Sequence, residues 1–245
     1  MTAPRYGLAR VLSKRGLCSR TEAARLIAAG RVRVDGRIVR DAEAPTTLDA
    51  DVLVDGETRM LVAPLHLMLN KPRGLVTTRA DEQGRATVYD CFDGADLPWI
   101  APVGRLDRAS EGLLLFSNDP AFAAAITAPE HGIEKTYHVQ VEGQVDAAVL
   151  ARLVSGVTIE AEMWRAVRAS VLRCGEKNCW LEVVLDEGRN RQIRRMLDVL
   201  GFPVLRLIRV AIAGLTLGDL AKSHWRALTA TDIAALQLPE FLRSA

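Results

Sequence analysis

The pattern of apolar and polar positions changes character once along the chain. Near the N-terminus, Leu8-Ala9-Arg10-Val11-Leu12 reads as the start of a short amphipathic helix that Gly16 ends. Ser19 caps a second helix, and Glu22, three residues on, completes a capping box. Ala23, Leu26 and Ile27 form the apolar face of that helix and Gly30 stops it. Arg31-Val32-Arg33-Val34 then alternates as a strand does, Asp35-Gly36 supplies a tight turn, and Ile38-Val39 begins the return. Val52-Leu53-Val54 followed by Asp55-Gly56 repeats the strand-turn signal. Residues 1–56 are thus expected to form a small unit of two helices and a few strands, close to the lower size for independent folding. Residues 57–64 are expected to be a linker.

From Leu65 onward short strands dominate. Leu67-Met68-Leu69, Val76-Thr77-Thr78, Gly112 to Phe116, Thr136 to Val141, Val167 to Leu172, Trp180 to Leu185 and Val204 to Ile212 carry strand patterns. Ala121 to Ile126, Ala147 to Val154 and Asn190 to Leu200 carry helical ones. Strands interrupted by occasional helices argue for an α+β fold with a mostly antiparallel sheet, as one domain over 65–245. No repeat and no low-complexity segment is visible.

Charge sharpens the division. The net charge of the 245 residues is only +2, but residues 1–40 hold ten Arg or Lys against Glu22 and Asp35, a local +8 that leaves −6 for the rest. A basic end of this kind suits an anionic partner or a solvated surface. Arginines alternating with valines place guanidinium groups on one face, where they bind phosphates bidentately. No apolar run approaches the roughly 18 residues of a membrane span, and no leader with a cleavage site is expected, so a cytoplasmic protein is expected. Cys18, Cys91, Cys174 and Cys179 are read as free thiols, the last two being unrelated thiols near a hairpin turn without further metal ligands.

Chemistry concentrates in Val103-Gly104-Arg105-Leu106-Asp107-Arg108-Ala109-Ser110-Glu111 and the apolar run that follows. A charged loop entering a strand buried on both faces is rooted in the core, with its polar residues free to line a cleft. By spacing alone, Asp107 is most simply a loop cap.

The order of elements from Leu8 to Gly56, notably Leu17 to Ala23 and Gly30 to Gly36, resembles the alpha-L RNA-binding domain of a small-subunit ribosomal protein and several RNA-modifying enzymes. Gly104-Arg105-Leu106-Asp107, Ser110, Gly112-Leu113-Leu114-Leu115 and Asn118-Asp119 resemble the catalytic motif of pseudouridine synthases. The resembling branch acts on ribosomal RNA and carries an N-terminal alpha-L domain. Ser110 and Ser117 stand where that family usually has threonine, and Pro120 where it often has glycine. Glu134-Lys135-Thr136-Tyr137-His138-Val139 and Asp186 to Met196 resemble its second and third motifs in the same order.

The resemblance implies that Asp107 is the essential carboxylate, as nucleophile or by removing a sugar proton, and that Tyr137 lies against the extruded uracil. It implies Arg194 as the partner of Asp107, with Arg191 second. Arg105 would fill the space left by the flipped nucleotide, and Arg189 and Arg191 would face the substrate. Asn70-Lys71-Pro72-Arg73-Gly74 also recurs in the family as a strand end near the cleft, structural in the first place, with Lys71 and Arg73 able to touch phosphates. Arg10, Arg20, Arg31 and Arg33 are the RNA-binding candidates of the basic unit.

Pseudouridine formation is an isomerisation, so no cofactor and no metal are expected. The implied partner is ribosomal RNA or a pre-ribosomal particle, with no membrane, and the protein is expected to act as a monomer. Asp81-Glu82-Gln83-Gly84-Arg85 and the alpha-L segment favour the large-subunit branch over the small-subunit one. The alternative is a non-catalytic RNA-binding factor of ribosome assembly, disfavoured because Asp107, Tyr137 and Arg194 are all present. A glycosidase would need a second carboxylate flanking the bond, and none is identifiable.

Overall fold

A computed structural model describes residues 4–58 and 62–238. Linker residues 59–61 and positions 239–245 of the expected second domain lie outside the described residues.

The N-terminal unit comprises β1 (Arg5–Gly7), α1 (Leu8–Lys14), α2 (Arg20–Ala28), β2 (Val32–Val34), β3 (Arg37–Ile38), β4 (Pro45–Thr47), β5 (Val52–Val54) and β6 (Glu57–Thr58). Ser19 accepts the Glu22 N–H, so the hydroxyl half of the expected capping box is present. Strands β3-β2-β5-β6 form an antiparallel sheet, and β1 pairs with β4. The expected linker therefore starts late, because Glu57–Thr58 pair with Leu53–Val54 and continue the sheet. Leu8, Leu12, Ala23, Ile27, Val32 and Val52 close a small core. Arg15 is buried in it, donating to the Leu48 and Ala50 carbonyls.

The larger unit contains β7 (His66–Lys71), β8 (Ala101–Val103), β9 (Glu111–Ser117), α3 (Pro120–Thr127), β10 (Lys135–Glu142), α4 (Ala147–Ser155), β11 (Val157–Ile159) and β12 (Glu162–Trp164). It continues with β13 (Arg168–Cys174), β14 (Asn178–Leu185), α5 (Gln192–Val199), β15 (Val204–Ile212), β16 (Leu215–Thr216), β17 (Trp225–Ala227) and α6 (Ala230–Ala235). The main sheet runs β13-β14-β10-β15-β9-β7-β17 and is antiparallel except where β15 meets β9. Leu114 and Phe116 of β9 face one apolar cluster, and Leu113 and Leu115 face the other, packed with Phe122 and Ile126 of α3. Burial on both faces explains why this strand is apolar throughout.

Three local expectations change. Val76–Thr78 is no strand; it makes one isolated bridge to Thr87, because the segment wraps the Asp107 loop. The helix expected over 190–200 starts at Gln192, since Arg191 takes a left-handed conformation at its N-cap. Cys174 and Cys179 are not unrelated: they oppose each other across the β13–β14 hairpin, Cα–Cα 4.1 Å, and form a disulfide.

The junction between the units is hydrogen-bonded. Val62 N–H donates to the Arg15 carbonyl (3.1 Å). Asn118, buried, accepts from Leu65 N–H (2.7 Å) and donates to the Ala63 carbonyl (2.9 Å).

Candidate active site

Residues 104–110, between β8 and β9, expose a row of backbone carbonyls away from any ladder, and such groups need partners when buried. Each of five consecutive carbonyls has one. Thr77 Oγ1 donates to Leu106 (2.6 Å), Lys71 Nζ to Asp107 (3.2 Å), Gly74 N–H to Arg108 (2.7 Å), Arg194 Nη2 to Ala109 (3.2 Å) and Lys71 Nζ to Ser110 (2.9 Å). Donors from β7, from the segment after it and from α5 thus fix the loop that carries Asp107. The chemistry of the site rests on this preorganisation.

Lys71 is 0% exposed, and its third bond goes to the Pro72 carbonyl (3.1 Å). It cannot touch a phosphate, which corrects half of the expectation for that residue and leaves the structural half. Burial pushes its ammonium down to about 8, and nearby Asp107 works against that shift. Arg73 is exposed beside it.

Asp107 points into a cleft of about 410 Å³ that Tyr137, Ile193, Leu207, Arg105 and Arg191 also line. Its side chain is 30% exposed, and Arg191 Nη1 lies 3.8 Å from Oδ2. The ion-pair distance therefore falls to Arg191, where Arg194 was expected. Arg194 is half-buried, donating to the Ala109 and Val204 carbonyls, with Nε buried and unpartnered among the described residues. Burial lowers its pKa, Arg191 adds to the fall, and Asp107 opposes it. The reason lies in the helix start: Arg191, at φ 51°, stands before α5 and swings outward, whereas Arg194, inside α5, is drawn against the loop backbone. A non-glycine residue held at positive φ costs about 1–3 kcal/mol, a pattern frequent at functional sites.

Tyr137 is buried on β10 with Val139 and Val141 on the same side. A register shift between Thr136 and Tyr137 interrupts the β10–β15 ladder at the ring, and bulges of this kind re-aim side chains. Gly112 takes φ 100° opposite Arg209, and a Cβ there would stand 2.2 Å from the Arg209 carbonyl oxygen. Only glycine lets β15 approach β9 this closely.

The other expected contacts divide. Arg105 is exposed on the cleft rim. Arg189 is already engaged with Glu187 (2.9 Å) and Glu162, stacked over Trp164. In the N-terminal unit Arg10 and Arg20 are exposed, while Arg31 forms a two-point pair with Asp55 (2.6 Å) and Arg33 donates to the Gly36 carbonyl. Two cationic residues of the cleft received no role from the sequence, Lys135 and Arg209. Burial lowers the Lys135 pKa, and Arg209 adds to it while Asp186 opposes. Arg206 and Arg209 interrupt the otherwise apolar run of β15, which was the one available signal for Arg209. Among the described residues no group of three or more His, Cys, Asp or Glu is placed to hold a metal ion, and no helix is long and apolar enough to cross a membrane.

A carboxylate on a pinned loop, with a guanidinium group at ion-pair distance and an aromatic side chain lining the same cleft, is placed to act on a flat, neutral ring drawn in from solvent. Known proteins share this arrangement of chain. The family model for RNA pseudouridylate synthase matches residues 65–198 and the S4 domain model matches 7–46. The ribosomal large subunit pseudouridine synthase B of Bacillus subtilis is 34% identical over 94% of this chain and 95% of its own length. An uncharacterized RNA pseudouridine synthase of Aquifex aeolicus is 35% identical over 92% of this chain and 91% of its own. A crystal structure of a pseudouridylate synthase superposes with a TM-score of 0.67 at 27% identity, covering 96% of this chain and all of the other. With matched motifs, matched length and matched fold, the chain belongs to the RNA pseudouridylate synthase family, carrying an S4 domain ahead of its catalytic domain.

Proposed function

We propose that this protein converts uridine to pseudouridine in ribosomal RNA, preferring the large subunit, that it works as a monomer in the cytoplasm, and that Asp107 is its essential carboxylate. The bond from uracil nitrogen one to the ribose breaks, the ring turns, and ring carbon five takes its place on the ribose. The hydrogen of carbon five leaves to solvent and nitrogen one gains a proton, so atoms balance without an outside reactant. Asp107 acts on the ribose side of this exchange, as a nucleophile or by removing a sugar proton. Arg191 stands 3.8 Å from its carboxylate, and Arg194 holds the loop that carries it through the Ala109 carbonyl. Tyr137 offers its ring to the extruded uracil, with Ile193 and Leu207 lining the same cleft. Extrusion costs a few kcal/mol and is cheapest in loops and bulges, so Arg105 at the rim takes the space the base leaves. The large-subunit preference is supported by the likeness to large-subunit pseudouridine synthases such as that of Bacillus subtilis.

The observation that carries the reading is the clamped Asp107 loop, whose carbonyls from 106 to 110 each accept a bond, two of them from Lys71. The test is tritium release from ribosomal RNA labelled at carbon five of uridine. Asp107→Asn, nearly isosteric, is expected to lose at least roughly a thousandfold in rate, about 4 kcal/mol of barrier, with RNA affinity kept within a few fold. Normal turnover by that variant would sink the assignment, and failure of the parent protein to release tritium would leave a binding factor instead.

A further inference from the structure

The chain contains four tryptophans, and three have ring partners. Trp164 lies against Arg189 and Arg195, Trp180 against Arg173 and Arg206, and Trp225 against Phe92. Trp99 differs. It is half-buried just before β8, makes no ring contact or hydrogen bond among the described residues, and packs into none of the three apolar clusters. An indole left like this is a large flat surface without an occupant.

Trp99 lines a groove of about 780 Å³ between the two units, with Arg79 and Tyr89 on its own side and Thr21 and Arg25 of α2 across from it. The walls are held in place. Tyr89 donates its hydroxyl to the Ile100 carbonyl (3.0 Å), Arg79 covers the Tyr89 ring at 5.7 Å, and the junction bonds of Arg15 and Asn118 fix the S4 domain beside it. A further depression adjoins both the groove and the catalytic cleft. Of about 370 Å³ and formed by the 76–85 loop, it shares Ala80 with the groove and Arg105 with the Asp107 cleft. Along this course Arg105 and Arg79 have no carboxylate within ion-pair distance among the described residues, and Arg25 has only Glu22, at 3.7 Å on an exposed face. Glu22 and Glu82 are the acids beside the path, while Asp81 is taken up by Arg85 at 2.6 Å.

We propose that this furrow carries one unpaired strand of the substrate RNA from the active site to the S4 domain, and that Trp99 is the stacking platform for one of its bases. Unpaired strands are bound by this combination of a basic track for the backbone and a ring for the bases, and stacking tolerates any base. The S4 domain then does more than add charge: its α2 forms the far wall of a base pocket whose floor belongs to the catalytic domain. The inference rests on the reading of RNA as substrate.

The test uses full-length protein carrying Asp107→Asn and an end-labelled single-stranded oligouridylate followed by fluorescence anisotropy. Adding Trp99→Ala is expected to weaken binding about tenfold with an unchanged salt slope, and Trp99→Phe about threefold or less. Adding Arg79→Ala is expected to lower the salt slope by about one. Affinity within twofold of the parent for Trp99→Ala overturns the proposal, as does an equal loss in the phenylalanine variant, which would assign the ring to folding. A measurement without substitution in the groove runs beside it. Oligouridylate containing 4-thiouridine is irradiated on the Asp107→Asn protein and the crosslinked peptides are mapped. Crosslinks on the peptide holding Trp99 support the furrow; crosslinks confined to the Asp107 cleft or to other faces overturn it, and leave the groove to a protein partner. Tritium release by the parent chain is scored separately, so a failed furrow and a failed catalytic reading give different results.

Discussion

Lys71 offers the sharpest test of how the site is built, because the sequence leaves it two roles, structural first and phosphate-binding second, and the structure keeps only the first. As a phosphate ligand it would lie on the surface, and its loss would weaken RNA binding and flatten the salt dependence. In the structure it is wholly buried with three carbonyls around one ammonium, two of them from the Asp107 loop. Lys71→Met keeps the length and removes the donors. Hydrogen bonds to a charged group contribute roughly 1.5–3 kcal/mol each, so three amount to about 5–9 kcal/mol. Against this, the variant no longer buries a charge. The fall of the Lys71 pKa from 10.5 to about 8 corresponds to about 3 kcal/mol of that penalty. The net expectation is a destabilisation of about 2–6 kcal/mol, read by urea unfolding. At temperatures where the variant is still folded, turnover in the tritium assay should fall about a hundredfold or more, because a loop displaced by an ångström misplaces the carboxylate. RNA affinity and its salt slope should stay close to those of the parent. A variant of ordinary stability and normal turnover would refute the clamp, and one defective only in salt-dependent binding would restore the phosphate role.

Two further outcomes follow from packing and charge. Gly112→Ala places a Cβ 2.2 Å from the Arg209 carbonyl at a backbone angle that alanine resists, so β15 must retreat. The cost should exceed about 2 kcal/mol, a fall of about 5 °C or more in Tm, with turnover lost as well; an unchanged melting curve would show that the strands tolerate separation. Glu111 is 2% exposed and pairs with Arg206 (2.9 Å) and Lys222 (2.6 Å). Burial pushes its carboxyl upward, but the hydrogen bonds from Arg206 and Lys222 outweigh it and hold the carboxyl below its ordinary value. A carboxyl lowered in the fold stabilises above its ordinary range and loses that contribution as pH falls through the folded value. Glu111→Gln should therefore be less stable by about 2 kcal/mol at neutral pH, the scale of a hydrogen bond to a charged group, and the gap should close in acid. A gap that is constant down to strongly acidic pH would contradict the pairing.

Much of this protein is legible in residues that are neighbours in the chain. Period-two alternation locates β10, β14 and β15, the apolar run of β9 declares a strand covered on both faces, and Ser19 and Gly30 bracket α2, because these patterns depend on local backbone geometry. The loop bearing Asp107 is likewise recognisable as a short string of residues. What surrounds that string is not. Thr77, Lys71 and Arg194 reach the loop from 29, 36 and 85 positions away. Glu111 finds its cations 95 and 111 positions away. Whether Lys71 meets water or three carbonyls, and whether Arg191 or Arg194 stands nearer the carboxylate, is settled by which strands and helices pack together. The sign and strength of a charge's contribution depend on the dielectric and partners that such packing creates, and one-dimensional spacing carries no record of them.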